Sequence, residues 1–257
     1  MEYEIAQLRL DNKGRKRNQL YCFDYEPANC RVIMKVSQIS RNYKLARRVN
    51  LFFTSLFKDY NYRGYIGSLR LQQAGVDTIK PIAHWTFKSS CLNRKSYLLY
   101  QKVESELTVS ELCRHILQSG GQGRDALVEA IANRCVEIVK KIHAGNIRHD
   151  DPHDRNILTD LTHQDIAELS VEDIMKARFT LIDNDRCTLS RTMTPVLKRF
   201  FDIKCLARFS ICEIPKQELL RLYLKEDYRT YWWHVLSFWN SGGFNFHKRI
   251  NFLKSAK

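Results

Sequence analysis

The most chemically dense stretch of the sequence is His149-Asp150-Asp151-Pro152-His153-Asp154-Arg155-Asn156. Clusters of this kind rarely serve packing, because every buried polar group must find a partner. Within it His149, Asp151 and Asn156 fit H-x-D-x-x-x-x-N, and the apolar pair Ile157-Leu158 follows directly. A carboxylate that takes a proton from a hydroxyl, and an amide oxygen five residues on that helps hold magnesium, are what phosphoryl transfer from ATP to an alcohol needs. A second carboxylate must bind the metal, since the group in flight concentrates charge that neutral side chains cannot offset. Asp183, after the apolar run Phe179-Thr180-Leu181-Ile182 and 27 residues beyond Asn156, supplies it. Upstream, Lys35 in the apolar residues 32–36 is the candidate that grips the α and β phosphates. Lysine, base, asparagine and aspartate thus occur in the order that protein kinases use.

These residues need elements to hold them. Alternation over residues 21–24 and the apolar residues 32–36, with the turn-like Glu26-Pro27-Ala28-Asn29 between, predict two strands. Helices are expected over 45–60 and 65–74, the second stopped by Gly75, and strands over 79–85 and 96–103. From Glu104 onward the pattern turns helical. Leu127, Ile131, Cys135, Ile138 and Ile142 recur at spacings of 4, 4, 3 and 4, one face of an amphipathic helix, with Gly145 placed as its C-terminal cap. Aromatic-rich helical segments run from Thr194 to the end. The reading is an α+β, bilobal, protein-kinase-like fold: a mixed, sheet-containing N-lobe over residues 1–103 and a mainly helical C-lobe over 104–257, together one domain.

Two usual parts are absent. Gly14 is the single glycine in the first 63 residues, so a glycine-rich phosphate cover is missing or replaced by residues 11–17. The lysine normally pairs with a helix glutamate, yet the carboxylates between Glu26 and Glu104 are Asp59 and Asp77 alone. Three outcomes stay open: Asp59 remakes the pair, Lys35 is held otherwise, or phosphoryl transfer has been lost. Gly120-Gly121-Gln122-Gly123 lacks the Lys-Ser/Thr of a P-loop and reads as a link before the long helix.

Composition narrows the partners. With 257 residues, 44% of them hydrophobic, the chain can bury a real core, and neither repeats nor low-complexity tracts appear. The formal net charge is +14, of which +12 falls in residues 1–103, densest at 13–17 and 41–48. Such a field suits a polyanion, whether nucleic acid, phosphorylated glycolipid or an anionic membrane surface. Eight cysteines without a C-x-x-C pair, and an N-terminus without an apolar signal core, predict reduced thiols in the cytoplasm. No run approaches the length needed to span a bilayer, so any membrane contact is expected to be peripheral.

Over residues 31–190 the sequence resembles the bacterial lipopolysaccharide kinases, most closely the core heptose kinases of the heptose(II) type. The resemblance rests on the Lys35 strand, Phe57-Lys58-Asp59-Tyr60, residues 71–76 with Ala74-Gly75, the strand over 97–103, Asp151-Pro152-His153 with Asn156, and Ile182-Asp183. It implies transfer of the ATP γ-phosphate to a heptose or Kdo hydroxyl of the lipopolysaccharide inner core, at the cytoplasmic face of the inner membrane. Asp151 resembles the catalytic base, Asn156 and Asp183 the magnesium ligands, and Lys35 the phosphate-binding lysine; Gln101, Lys102 and Val103 would lie along adenine at the lobe connection. Gly67 falls where related sequences keep the helix glutamate, and Asp185-Arg186 resembles the Asp-x-Asp-Arg of related sugar kinases. Aromatics among residues 231–249 beside His247-Lys248-Arg249 offer a contact to lipid headgroups or sugar rings.

Two other chemistries compete. His149, Asp150, Asp151, His153 and Asp154, with His115, His143 or His163, could ligate a metal for phosphoester hydrolysis, which would leave Asn156 and Asp183 without a role. A basic nucleic-acid binder would use the charge but leave the polar loop idle, and no nucleic-acid motif accompanies it. Kinase-fold phosphotransferases acting on aminoglycosides or choline share a similar loop, but their cationic substrates would be repelled by this N-lobe.

Overall fold

The computed structural model describes residues 6–7, 18–25, 29–38, 59–90, 93–105, 107–119, 123–162, 165–189, 199, 202–206 and 216–224. The basic runs at 13–17 and 41–48, nearly all of the helix expected over 45–60, and the aromatics of 231–249 lie outside them.

The first half is an antiparallel sheet. β1 (Ala6–Gln7), β2 (Asn18–Tyr25), β3 (Cys30–Gln38), β4 (Pro81–Ser90) and β5 (Asn93–Gln101) lie in the order β1-β2-β3-β5-β4. Lys35 therefore sits on the central strand, opposite Leu20 on one side and Leu98 on the other. Between β3 and β4 the chain forms α1 (Tyr60–Gln73), which starts five residues before the expected 65. Asp59 is the reason. In an extended conformation it accepts hydrogen bonds from the amides of Asn61 and Tyr62, an N-cap that satisfies two donors the helix cannot. The same geometry stops any preceding helix short of residue 60. At the other end Gly75, with φ of 70°, turns the chain as predicted.

The second half is helical around one core. β6 (Leu107–Thr108), α2 (Val109–Ser119), α3 (Arg124–Ala144), β7 (Ile147–Arg148), β8 (Ile157–Thr159), α4 (Val171–Lys176), β9 (Phe179–Leu181), β10 (Thr188–Leu189), a helical turn at 202–206 and α5 (Lys216–Leu224) follow in order. The strands make two small sheets, β6-β8-β9 and β7-β10. Ile131, Cys135, Ile138 and Ile142 of α3 are buried as their spacing predicts, against Leu112, Ile116, Ile157, Leu181, Leu206 and Leu219. Each fully buried leucine or isoleucine contributes about 1.5–3 kcal/mol. Gly145 is the C-cap of α3 as predicted, its amide donating to the carbonyls of Lys141 and His143; its φ is an ordinary −76°, and glycine is required by space, since a Cβ there would meet the Cβ of Ala74 at 2.6 Å. The left-handed residue is Asn146, with φ of 56°.

The halves are joined behind the cleft. The amide of Leu181 donates to the carbonyl of Asp77 at 2.8 Å, and the Leu181 carbonyl accepts from the Thr78 hydroxyl at 2.7 Å and the Ile79 amide at 3.3 Å. The segment leaving α1 is thereby fixed to β9, the strand that leads to Asp183. Cys22, Cys30, Cys135, Cys187 and Cys205 are free thiols as expected, whereas Cys113 is held in a disulfide. No helix among the described residues is long and apolar enough to cross a membrane.

Candidate active site

The polar loop follows β7 and is shaped from below by a residue that sequence reasoning missed. Asp202, fully buried, accepts from the amides of His149 at 2.9 Å and Asp150 at 2.7 Å and contacts His143 Nε2 at 3.1 Å. Its carboxylate fixes the loop's backbone where Asp150 takes a left-handed φ of 68°, a conformation that aspartate tolerates better than most residues. A lone acid between aromatic and aliphatic neighbours, Phe201 and Ile203, was the available signal.

His149 is buried and orients the loop through both ring nitrogens. Its Nδ1 accepts from the Asp151 amide at 3.3 Å, so the proton sits on Nε2 and is donated to Asn184 Oδ1 at 3.1 Å. Asn184 in turn donates its amide group to Ser68 Oγ at 2.8 Å and Thr78 Oγ1 at 2.7 Å. One buried side chain thus links the catalytic loop, α1 and the segment behind the cleft.

Asp151 and Asn156 lie at the two ends of a closed turn. Asn156 Nδ2 donates to the Asp151 carbonyl at 3.0 Å, and the Asn156 carbonyl accepts from the Ile182 amide at 2.8 Å. Between them His153 Nδ1 accepts from the Arg155 amide, which starts the short 3-10 turn Asp154–Asn156. With its nitrogen so committed, the Asn156 amide keeps its oxygen, a hard ligand atom, out of that bond. The Asp151 carboxylate is partly open and contacts Arg186 Nη1 at 3.2 Å.

Asp183 stands two residues past β9 in a left-handed conformation, φ 59°. Its Oδ1 accepts from Lys35 Nζ at 2.6 Å, and Asp185 Oδ2 lies 3.5 Å from the same ammonium. Burial alone would lower the lysine's pKa, but Asp183 and then Asp185 outweigh it and raise it, so Lys35 is a fixed cation. Burial likewise works to raise the Asp183 pKa, and Lys35 reverses the shift, leaving that carboxyl below its usual range. Lys35, Asp183, Asn156 and Asp151 are therefore linked in space: lysine to Asp183, the neighbouring Ile182 to Asn156, and Asn156 to the backbone of Asp151.

The lysine's partners differ from those that sequence reasoning weighed. Asp59 is spent on capping α1 and on Ser96 Oγ, Thr86 Oγ1 and His84 Nε2, at 2.6, 2.8 and 3.2 Å. Gly67 faces the loop so closely that a Cβ would come within 2.7 Å of the Asn184 carbonyl and 2.9 Å of Cys187 Cβ. A glutamate has no room there, and the second carboxylate beside the lysine is Asp185. Asn61, fully buried, donates to the carbonyls of Lys35 and Ser96 at 3.1 and 2.7 Å, which secures α1 to β3 and β5.

Gln101 ends β5, its amide donating to the Lys80 carbonyl, while the Lys102 amide donates to that of Arg31 and Val103 continues the connection. Outside the cleft, a cavity of about 170 Å³ lies between α1 and β10, lined among others by Arg63, Ile66, Arg70 and Leu189. Arg63 Nη2 donates to the Arg186 carbonyl at 3.3 Å, placing this cavity next to the residue that touches Asp151.

Of the histidines of the hydrolase alternative, His163 lies outside the described residues, and His143, His149 and His153 do not converge. His143 binds Asp202 and Tyr223, His149 binds Asn184, and His153 caps its own turn. No cluster of three or more His, Cys, Asp or Glu able to hold an ion occurs among the described residues. Asn156 and Asp183 instead offer hard oxygens suited to magnesium, and Asn156 Oδ1 accepts no hydrogen bond from the described residues.

A five-stranded antiparallel sheet with α1 packed against its central strands, followed by a mainly helical second half, defines a protein-kinase-like fold. The sequence profile described as the lipopolysaccharide kinase (Kdo/WaaP) family matches residues 68–223, and the chain belongs to that family. Among solved structures it is similar to "WaaP in complex with acyl carrier protein", at 15% identity and a TM-score of 0.58 over 90% of this chain and 86% of that one. It is also similar to the BubR1 kinase domain, at 15% identity and a TM-score of 0.41 over 76% of this chain and 49% of that one. The Cydia pomonella granulovirus kinase PK-1 follows at 16% identity and a TM-score of 0.44, over 74% of this chain and 56% of that one. Comparison with curated protein sequences finds no match.

Proposed function

We propose that this kinase transfers the γ-phosphoryl group of ATP to a sugar hydroxyl of the lipopolysaccharide inner core, with heptose as acceptor and Kdo as the alternative. The chain of contacts that links Lys35, Asp183, Asn156 and Asp151 supports this reading most strongly. Asp151 accepts the proton of the acceptor hydroxyl as its oxygen bonds to phosphorus and the bond to the β-phosphate oxygen breaks, releasing ADP. Lys35 would bind the α and β phosphates, and Asn156 and Asp183 would hold magnesium through their side-chain oxygens. Magnesium, when bound, neutralises charge building on the phosphate oxygens. Because the Gln101 and Lys102 amides are already engaged, adenine is read by the remaining backbone groups of residues 101–103.

An anionic acceptor fits the cations beside the base. Arg186 touches Asp151, Arg63 touches Arg186, and Arg70 lines the same cavity as Arg63. Carboxylates or phosphates of the core would be drawn there, and more strongly at low ionic strength. A cytoplasmic enzyme resting on the inner face of the inner membrane accords with this substrate; exposed Trp85 and Phe87 on the edge strand β4 join the aromatics of 231–249 as contact candidates. Equal flotation with neutral and anionic liposomes would count against the membrane contact. The decisive assay supplies γ-labelled ATP, magnesium and core-truncated lipopolysaccharides to wild type and Asp151→Ala. Label is expected in a heptose-bearing acceptor with wild type alone; equal labelling by the variant would remove Asp151 from the base role.

A further inference from the structure

The lysine faces a conflict if Asp183 serves the metal. In the structure Asp183 is its nearer partner, at 2.6 Å, and a carboxylate that turns to magnesium gives up that bond. An ammonium almost wholly removed from water cannot be left with phosphate oxygens as its single fixed point without losing its orientation. The family's usual remedy, a glutamate on the helix, is closed by Gly67, where even a methyl group collides with the Asn184 carbonyl.

We propose that Asp185 is the positioning residue that retains Lys35 when Asp183 turns to the metal. This rests on the reading of Lys35 as the phosphate-binding lysine. Three observations carry it. Asp185 Oδ2 is 3.5 Å from Lys35 Nζ, close enough for a small rotation of either side chain to close the contact. Its side chain is 18% exposed against 43% for Asp183, so it is the more enclosed of the two carboxylates and the less available to an incoming ion. It is also held from both sides, because α1 passes over it at Gly64, whose Cβ would lie 3.8 Å from the Asp185 Cα, and the preceding Asn184 is bonded to Ser68, Thr78 and His149. The acid that kinases place on a helix is thus supplied here by the metal-binding loop itself. Asp183 and Asp185 divide the work: the outer one exchanges between lysine and metal, while the inner one stays with lysine.

The test is a double-mutant cycle on nucleotide binding, read by calorimetry with ATP and magnesium and without acceptor. Asp185→Asn is expected to weaken binding about tenfold, Lys35→Met at least as much, and the double variant no more than Lys35→Met alone. Asp185→Glu, which keeps the charge, is expected to recover most of the loss, and it stands in if Asp185→Asn does not fold. Independent, multiplying effects of the two substitutions would overturn the proposal and assign Asp185 to the metal instead. Wild-type binding by Asp185→Asn, with Lys35→Met impaired, would overturn it while leaving Lys35 in place. Unchanged binding by both would overturn the phosphate role of Lys35, and this inference with it.

Discussion

The carbonyl oxygen of Asn184 lies 2.7 Å from the position that a Cβ on residue 67 would take, so α1 and the loop after β9 meet backbone to backbone. That approach requires glycine for reasons of space, since nothing about its conformation is unusual. Gly67→Ala is expected to cost about 1–3 kcal/mol, because the clash is with main chain that cannot swing aside. Gly67→Glu should cost more and should not restore a lysine pair; thermal unfolding and nucleotide affinity, measured together, check both points.

Asn184 is the second prediction. Asn184→Ala strips partners from the buried His149 Nε2–H and from the hydroxyls of Ser68 and Thr78, groups that keep their own demands for hydrogen bonds. A destabilisation of about 2–3 kcal/mol follows, visible as a lower urea midpoint with an unchanged slope. A loss below half a kcal/mol would mean that the network is not holding the loop.

Asp151→Asn keeps the shape of the loop, because Asn156 binds the backbone of residue 151 and leaves its carboxylate alone. Turnover should fall on the order of 10²–10⁴-fold while ATP affinity stays near wild type. A parallel loss of nucleotide affinity would place Asp151 in binding instead of proton transfer.

The Lys35–Asp183 pair gives a signed dependence on pH. Asp183, held below the usual carboxyl range, contributes stability that is present at neutral pH and lost as pH falls through its folded value. Lys35, held above the usual lysine range, contributes stability lost only as pH rises beyond that range. The stability difference between wild type and Lys35→Met should therefore be flat from about pH 6 to 9 and shrink below about pH 4. Urea titrations of both proteins at several pH values measure it, and curves that stay parallel into acid would refute the assignment.

Arg63→Ala and Arg70→Ala should raise KM for an anionic acceptor several-fold, the effect growing at low salt, and leave KM for ATP unchanged. Equal effects on both substrates would indicate a shift of α1 and not a lost docking charge.

How far the sequence carried these conclusions differs by residue. Lys35, Asp151, Asn156 and Asp183, proposed as the phosphoryl-transfer site, could be singled out because each lies at a fixed offset from a strand or loop, and local spacing survives folding. Helix α3 was legible through its apolar periodicity, although the reason for Gly145 was not, since contact with Ala74 is set by tertiary packing. Asp59 read as one candidate partner for Lys35 and proved to be a cap, a role set by its own extended backbone just before α1. Asp185 was noted only through its motif, with no role attached, and Asp202 was passed over, for one reason: each acts across a long separation in sequence, on Lys35 and on the backbone at 149–150, where no periodicity connects donor and acceptor.

The hydrogen bonds between residues 77–79 and Leu181 carry a mechanical corollary. Two shells joined at a single strap can gape along their whole length; these are stitched along the rear seam as well. Parting them there means tearing three bonds at once, which makes that seam a costly place to open.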